Sequence, residues 1–204
     1  RNTFLKINRI TAFITFPLMI GIFVCSDVFV KSLFGHKWIA IIPILQIFSF
    51  IGLLTSINEL FKSVFLGLGY SNLLFKVGLF ERSILIIGVI IGLNWGIEGV
   101  AFSILISSII SLPVVMYYGG GLIDLSVLKQ LSNLLSVLLI AIMMGVVVWS
   151  INSQLVHYTE IRKVFILSID FFIGSFSYCL FAYIFQIKAF KDFVEIISSY
   201  IKIP

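Results

Sequence analysis

The sequence predicts an all-α integral membrane protein with six transmembrane helices, and three observations lead to that class. Of its 204 residues, 60% are hydrophobic and 11% are charged, with a mean hydropathy of +1.18. An ordinary soluble domain carries roughly 25% charged residues, so this chain has too little polar surface to cover a water-soluble globule. Its apolar runs, such as "SILIIGVIIGL", lack the alternation of a membrane β-strand. At about 20 residues per span, the length holds about six helices.

Composition and motifs exclude several other classes of protein. High hydrophobicity excludes disorder, and the net charge of +5 has no Lys/Arg-rich run that would form a nucleic-acid surface. Cys25 and Cys179 lie in apolar runs and are interpreted as small buried hydrophobes. His36 and His157 fall in different loops without further ligands at metal-binding spacing. We therefore expect no metal, no other cofactor and no nucleic-acid partner, and we expect a protein that is not an enzyme.

The first four spans are separated by short glycine-rich turns. They are predicted at about residues 10–34, 44–68, 73–93 and 97–118. Pro17 lies inside the first span, where neighbouring helices can tolerate it, and Pro43 marks the start of the second. The strings "GLGYSN" and "NWG" are turns, and the triple glycine at 119–121 is predicted to close the fourth span.

Two further spans and a tail follow the triple glycine. The stretch 122–130 is mixed and fits an interfacial segment. The spans are predicted at about 131–151 and 164–187, with a polar piece at 152–163 between them. In the tail, 188–204, apolar residues recur at i, i+3 and i+4 spacing, which predicts an amphipathic helix on the cytoplasmic membrane surface.

The distribution of Lys and Arg predicts that both termini are cytoplasmic. Cytoplasmic loops carry an excess of these residues. With the N-terminus inside, eight fall on the inner side, namely Arg1, Lys6, Arg9, Lys76, Lys129, Lys188, Lys191 and Lys202. Four fall on the outer side, namely Lys31, Lys37, Arg162 and Lys163.

Small residues predict that the third and fourth spans form a closely packed hairpin. Gly88 and Gly92 form a GxxxG pattern, and Ser103, Ser107 and Ser111 recur every four residues along the next span. Faces of small residues let helices approach closely in lipid. Only three residues join the two spans, so the two faces can meet.

Charged residues within the spans are the candidate site, because an ionised group at the centre of a span costs roughly 2.5 to 3.5 kcal/mol on the insertion scale. Arg82 is the deepest, nine residues beyond Leu73 and so about 13.5 Å along the helix. Three more charges lie on the second and third spans, namely Glu59, Lys62 and Glu81. Glu59 and Lys62 are spaced i, i+3 and can pair on one helix face. Two interpretations stay open: a structural ion-pair network between the spans, or the lining of a water-accessible cavity for a charged substrate.

Three other acids are interpreted differently. Asp27 and Lys31 are spaced i, i+4 near the outer end of the first span, which favours a structural pair. Glu98 opens the fourth span, where the helix dipole favours an acid. Asp170 lies about a third of the way into the sixth span, and its role is left open.

Several strings, in this order, resemble one family. They are "ITFPLMIGIFVCSDVFVKSLFGHKW", "IIPILQIFSFIGLL", "FLGLGYSNLLFKVGL" and "GLNWGIEGVAFS". Their order and spacing are similar to those of the C-terminal half of polysaccharide flippases, the Wzx-type branch of the MOP superfamily. The resemblance covers about residues 5–150.

The resemblance implies an architecture and a function. Family members have two six-helix lobes, often followed by two extra helices, so this chain would be the C-terminal part of a MATE-like two-lobe transporter that lacks its N-terminal lobe. Residues 1–118 would belong to the second lobe and 119–187 to the extra helices. The implied function is flipping of an undecaprenyl-diphosphate-linked glycan across the bacterial inner membrane by alternating access. Its partners would be that glycan, membrane lipids and the missing lobe, and Arg82 and Lys62 would meet the diphosphate.

Two alternatives to the flippase remain. A drug or metabolite antiporter of the same superfamily would need an ion-coupling carboxylate, for which Glu59, Glu81 or Asp170 could serve. An integral membrane glycan-processing enzyme would usually present catalytic residues in sizeable outer loops, whereas the loops predicted here have at most about a dozen residues.

Overall fold

The computed structural model describes residues 1–158 and 163–201, and within these ranges every regular element is helical. The seven α-helices are α1 (Asn2–Leu33), α2 (Ile42–Gly67), α3 (Ser71–Gly92), α4 (Gly96–Gly121), α5 (Val127–Tyr158), α6 (Lys163–Ile184) and α7 (Lys188–Ile201). Short 3-10 turns join α1 to α2 and α3 to α4. The predictions for 159–162 and 202–204, which include the charges of Arg162 and Lys202, lie outside the described residues.

The predicted fold class is confirmed. Five stretches of the described chain are long and apolar enough to cross a membrane: Asn2–Leu33, His36–Gly67, Ser71–Gly121, Val127–Gln154 and Phe165–Ile184. The third of these stretches contains two antiparallel helices, α3 and α4, so the count of spans agrees with the six predicted from the sequence.

Helices α1, α4 and α5 are longer than predicted: α1 begins at Asn2 rather than at about residue 10, and tertiary contacts explain the end of α4. Helix α4 continues through the triple glycine to Gly121, and Gly119 and Gly120 are buried there. A Cβ on Gly119 would collide with the ring of Phe61, and one on Gly120 with the amide of Gln130. Helix α5 begins at Val127 and extends to Tyr158, so parts of both the interfacial segment and the polar piece are helical.

Helix α1 lies at the centre of the bundle and contacts α2, α5, α6 and α7. It runs antiparallel to α2, where Thr15 donates a hydrogen bond to Ser56. It runs parallel to α5, where Arg9 donates to Asn133. The α3–α4 hairpin packs mainly through α4 on the far side of α2.

Pro17 in the middle of α1 leaves one backbone carbonyl without its helical partner, because proline has no N–H to donate to the residue four positions earlier. That carbonyl belongs to Phe13. The hydroxyl of Tyr178, on α6, donates a hydrogen bond to it at 2.9 Å, and both side chains are buried. The proline is thus accommodated by a neighbouring helix, as the hydrocarbon environment requires.

The hairpin of α3 and α4 is closely packed, as predicted. A Cβ on Gly88 would lie 3.0 Å from the Ser107 hydroxyl, and one on Gly92 would lie 2.6 Å from the Gly99 carbonyl oxygen. The hydroxyl of Ser103 bonds to the Gly99 carbonyl of its own helix, so it needs no partner in lipid. The small residues let the two backbones touch.

Helix α7 docks on the first turns of α1 through charges and rings. Asp192 accepts from Arg9 at 2.6 Å, with both side chains 17% exposed. Phe190 and Phe193 contact the ring of Phe13. The amphipathic tail helix is therefore present, and it lies at the same end of the bundle as the start of α1.

The contact between α6 and α1 generates a first prediction. Tyr178→Phe removes the donor to the Phe13 carbonyl, so we expect the free energy of unfolding to fall by about 1 kcal/mol. In a Pro17→Ala background the alanine N–H serves that carbonyl, so the same substitution is expected to have a clearly smaller effect. Unfolding of the full-length protein in detergent micelles measures both. Tyr183→Phe, at an exposed position of α6, is the control, and equal losses in the two backgrounds would contradict the assignment.

The hairpin generates a second prediction, with a matched glycine as its control. Gly92→Ala forces the α3 and α4 backbones apart, so we expect the free energy of unfolding to fall by about 1 to 3 kcal/mol. Gly78→Ala on the same helix adds a Cβ with no atom within 4 Å, and alanine is the better helix former. Its stability is expected to stay equal or rise. Equal behaviour of the two variants in thermal unfolding would argue against close hairpin packing.

Candidate functional site

The four predicted site residues lie on α2 and α3, which follow each other across a tight turn. Glu59 and Lys62 are on the second half of α2, and Glu81 and Arg82 are at the middle of α3. Glu59 and Arg82 are exposed, and Lys62 and Glu81 are half-buried. The structure therefore brings them to neighbouring helices, and of the four only Glu59 and Arg82 are exposed on this chain.

Glu59 and Lys62 form an ion pair within α2. The Lys62 Nζ lies 2.6 Å from the Glu59 Oε1. The i, i+3 spacing places both side chains on one helix face, as predicted. Each charge in this part of the span is thus balanced by its neighbour.

A neutral side chain makes the polar contact between α2 and α3. The Asn58 amide donates to the Glu81 Oε1 at 3.4 Å. Asn58 is buried, and its own carbonyl oxygen has no hydrogen-bond partner in the described part of the chain. Asn58 is not among the site residues predicted from the sequence, although an Asn directly before Glu59 in a span is itself a signal, since polar groups in spans are rare.

Arg82 has neither an ion pair nor a hydrogen bond within residues 1–158 and 163–201. It is eleven residues from the start of α3 and ten from its end, so it lies about 15 Å from either end of the helix. An arginine at that depth cannot easily extend to the membrane surface. Among the described residues, Arg82 therefore takes no part in an ion-pair network between the two spans, which was one of the two interpretations left open.

An exposed guanidinium at the middle of a span is costly wherever lipid covers it. A guanidinium in the hydrocarbon core faces protein or water and finds an anionic partner. Arginine also presents a planar fork that binds phosphate or carboxylate through two parallel hydrogen bonds. The side chains of Arg82, on α3, and Lys62, on α2, thus have chemistry that suits an anion.

The remaining charged groups occupy other places. Asp27 and Lys31 form the predicted pair, at 2.5 Å, and Glu98 lies in the first turn of α4. Asp170 is buried between α6 and its neighbours, on the other side of α1 from α2. Among the described residues no three His, Cys, Asp or Glu side chains come close enough to hold a metal ion.

Comparison with known proteins agrees with the resemblance found in the sequence. A family described as "Polysaccharide biosynthesis protein" matches residues 1–43. The lipopolysaccharide biosynthesis protein WzxC of Escherichia coli K12 is 33% identical over 112 residues. The chain is related to these polysaccharide biosynthesis proteins. The teichuronic acid biosynthesis protein TuaB of Bacillus subtilis 168 is 25% identical over 163 residues.

The matches cover most of this chain but a minor part of each relative. The alignment with WzxC includes 54% of the chain and 23% of the relative, and the alignment with TuaB includes 78% and 33%. The chain therefore spans about a quarter to a third of the length of these proteins. No solved structure matches it. The apolar helices indicate a multi-pass membrane protein.

The exposure of Arg82 generates a third prediction, which concerns water. In a full-length protein whose native cysteines are replaced, Arg82→Cys is expected to react with a charged, membrane-impermeant thiol reagent at least about ten times faster than Ile87→Cys, because such reagents do not enter hydrocarbon. Ile87 is exposed on the same helix, about 140° around it from Arg82. Equal rates of labelling at the two positions would mean that the Arg82 face contacts lipid or is sealed against protein.

Proposed function

We propose that this chain is part of a Wzx-type flippase that moves a lipid-linked glycan, carried on undecaprenyl diphosphate, across the bacterial inner membrane by alternating access. The observation that carries the proposal is an arginine at the middle of a span that has no ion pair or hydrogen bond with the described residues, in a chain similar to polysaccharide biosynthesis proteins. Transport of this kind moves the substrate without breaking a bond, so the proposal assigns no catalytic residue.

The anionic part of such a substrate is its diphosphate, and Arg82 is its proposed ligand. A diphosphate carries its negative charge on oxygens that match the guanidinium fork, and such bonds are stronger where water is excluded. In the bilayer core an unpaired guanidinium is expensive. Binding of the diphosphate at the middle of α3 would therefore pair the guanidinium with the diphosphate at the depth where an unpaired charge costs the most free energy.

Lys62 is proposed to meet the substrate before Arg82 does. It lies five residues from the end of α2, about 7.5 Å along the axis, whereas Arg82 lies about twice as deep from the same end of the hairpin. Glu59 neutralises Lys62 at 2.6 Å when no substrate is present. A diphosphate that enters from this end would compete with Glu59 for the ammonium group and then pass to the guanidinium.

The remaining parts of the architecture are proposed from the resemblance. Helices α1 to α4 would belong to one lobe, and α5 and α6 would be additional helices attached to it. The exposed face of α2 and α3 would then line the cavity towards a second lobe of the same protein. Both termini of the segment are proposed to be cytoplasmic, which agrees with the position of α7 beside the start of α1 and with the Lys/Arg distribution.

A complementation assay tests the role of Arg82. In a strain that lacks the flippase, full-length Arg82→Ala is expected to restore glycan export about ten- to a hundredfold less well than wild type, since a charge-assisted hydrogen bond contributes about 1.5 to 3 kcal/mol. Arg82→Lys keeps the charge but loses the fork, so an intermediate level is expected. Ser83→Ala is the matched control, because Ser83 is exposed beside Arg82 and bonds to its own helix.

Protein levels in the membrane must be equal for the comparison to count. Export at the wild-type level by both Arg82 variants would refute contact with the substrate. Loss of export by the Ser83 variant to the same degree would show that the assay reports disruption of α3 rather than loss of the guanidinium.

A further inference from the structure

A second polar position within the membrane lies on the opposite side of α1 from the charged face of α2 and α3. Asp170 of α6 is 2% exposed. It is seven residues from the start of α6, which places it about 10 Å along a helix that spans the membrane. Its side chain lies where α6 meets α1 and α5.

Two side chains contact the same oxygen of this carboxyl group. The Asn152 amide, on α5, donates to the Oδ2 at 2.8 Å, and the Cys25 sulfur, on α1, lies 3.8 Å from it. The other oxygen, Oδ1, is buried and has no hydrogen-bond partner in the described part of the protein. Buried carboxylate oxygens almost always have a partner, so the empty Oδ1 needs an explanation.

No positive charge balances Asp170 among the described side chains. On α1, Asp27 and Lys31 pair with each other, and Arg9 is bonded to Asp192 at the far end. On α5, the described residue that faces Asp170 is the neutral Asn152. Cys25 is the titratable group that faces it from α1, and the hydroxyl of Tyr178, on α6 itself, is bonded to Phe13. An isolated carboxylate in such surroundings is strongly disfavoured.

The surroundings fit a proton better than a metal ion. Hard metal cations in proteins are surrounded by about six oxygen ligands. Here one carboxyl group is met by an amide that presents its N–H and by a thiol. A proton needs one oxygen with a free lone pair, and Oδ1 is that atom.

We propose that Asp170 is a proton-binding site inside the membrane. A proton supplied by water forms an O–H bond at Oδ1, and the neutral carboxyl group is the form that belongs to the packed arrangement of α1, α5 and α6. Loss of the proton returns it to water and leaves a negative charge, which requires water or a cation to enter between these helices. Protonation of Asp170 therefore favours the packed arrangement. The proposal concerns a site outside the diphosphate face and does not depend on the proposed transport function.

Infrared spectroscopy of the full-length protein in lipid vesicles at neutral pH tests the proposal directly. A protonated carboxyl group has a C=O stretch separate from that of a carboxylate, and it shifts in D₂O. Wild type is expected to show this band, and Asp170→Asn is expected to lose an intensity equivalent to one carboxyl group. The amide of the variant can still bond to Asn152, so the fold should be retained. Asp27→Asn, which removes an acid that is paired with Lys31, is the control and should leave the band unchanged.

A second variant and a change of cation test whether the infrared band belongs to a protonated Asp170. Cys25→Ala removes the thiol beside Oδ2, so it should shift the band without abolishing it, and this assigns the band even if Asp170→Asn does not fold. An unchanged spectrum in both variants would overturn the proposal, because Asp170 would then be ionised. Disappearance of the band when choline is replaced by Na⁺ would also overturn it, in favour of a sodium site.

Discussion

The structure depends on one constraint: a polar group placed in the hydrocarbon layer must find its partner within the protein. The clearest instance is the Phe13 carbonyl group. Pro17 has no N–H to donate to it, and the hydroxyl of Tyr178, on α6, donates a hydrogen bond to it instead. This bond joins α6 to α1 at a buried position. The same constraint explains why the serines of α4 bond to carbonyl groups of their own helix and leave the small-residue face free for α3.

The constraint also explains how far the fold follows from the sequence. Each span is visible in the sequence as about 20 consecutive, mostly apolar residues. The fold class, the number of helices and the turns at "GLGYSN" and "NWG" could therefore be predicted. Helix ends that depend on contacts with residues far away in the sequence could not be predicted. The Gln130 side chain is fully buried and donates to the carbonyl groups of Met116 and Leu125. That amide bridges the end of α4 and the start of α5, and nothing near it in the sequence indicates its role.

The candidate site was predictable for the same energetic reason. A charge in a span stands out against apolar neighbours, so Glu59, Lys62, Glu81 and Arg82 could be named from the sequence, and the i, i+3 spacing predicted the pair in α2. The hydrogen-bond partners that other helices supply to these charged groups could not be predicted from the sequence. Asn58 meets Glu81 across 23 positions and Cys25 meets Asp170 across 145. Contacts over such separations arise from helix packing, which hydropathy does not encode.

The charged residues of α2 and α3 differ from Asp170 of α6 in their surroundings, and α1 contacts both α2 and α6. Arg82 is exposed on α3, whereas Asp170 is enclosed by three helices. Helix α1 contacts both α2 and α6, and through Tyr178 it is tied to the helix that carries Asp170. If Asp170 binds a proton as proposed, a change in its charge would alter the packing of α6 on α1, and α1 would pass that change to α2 only by shifting as a unit. The hydrogen bond at Phe13 supplies such a connection, because it joins α6 to α1 at the point where Pro17 interrupts the helix's own bonding. Coupling between two sites requires an element that both of them bias, and in this bundle α1 has the contacts that this role demands.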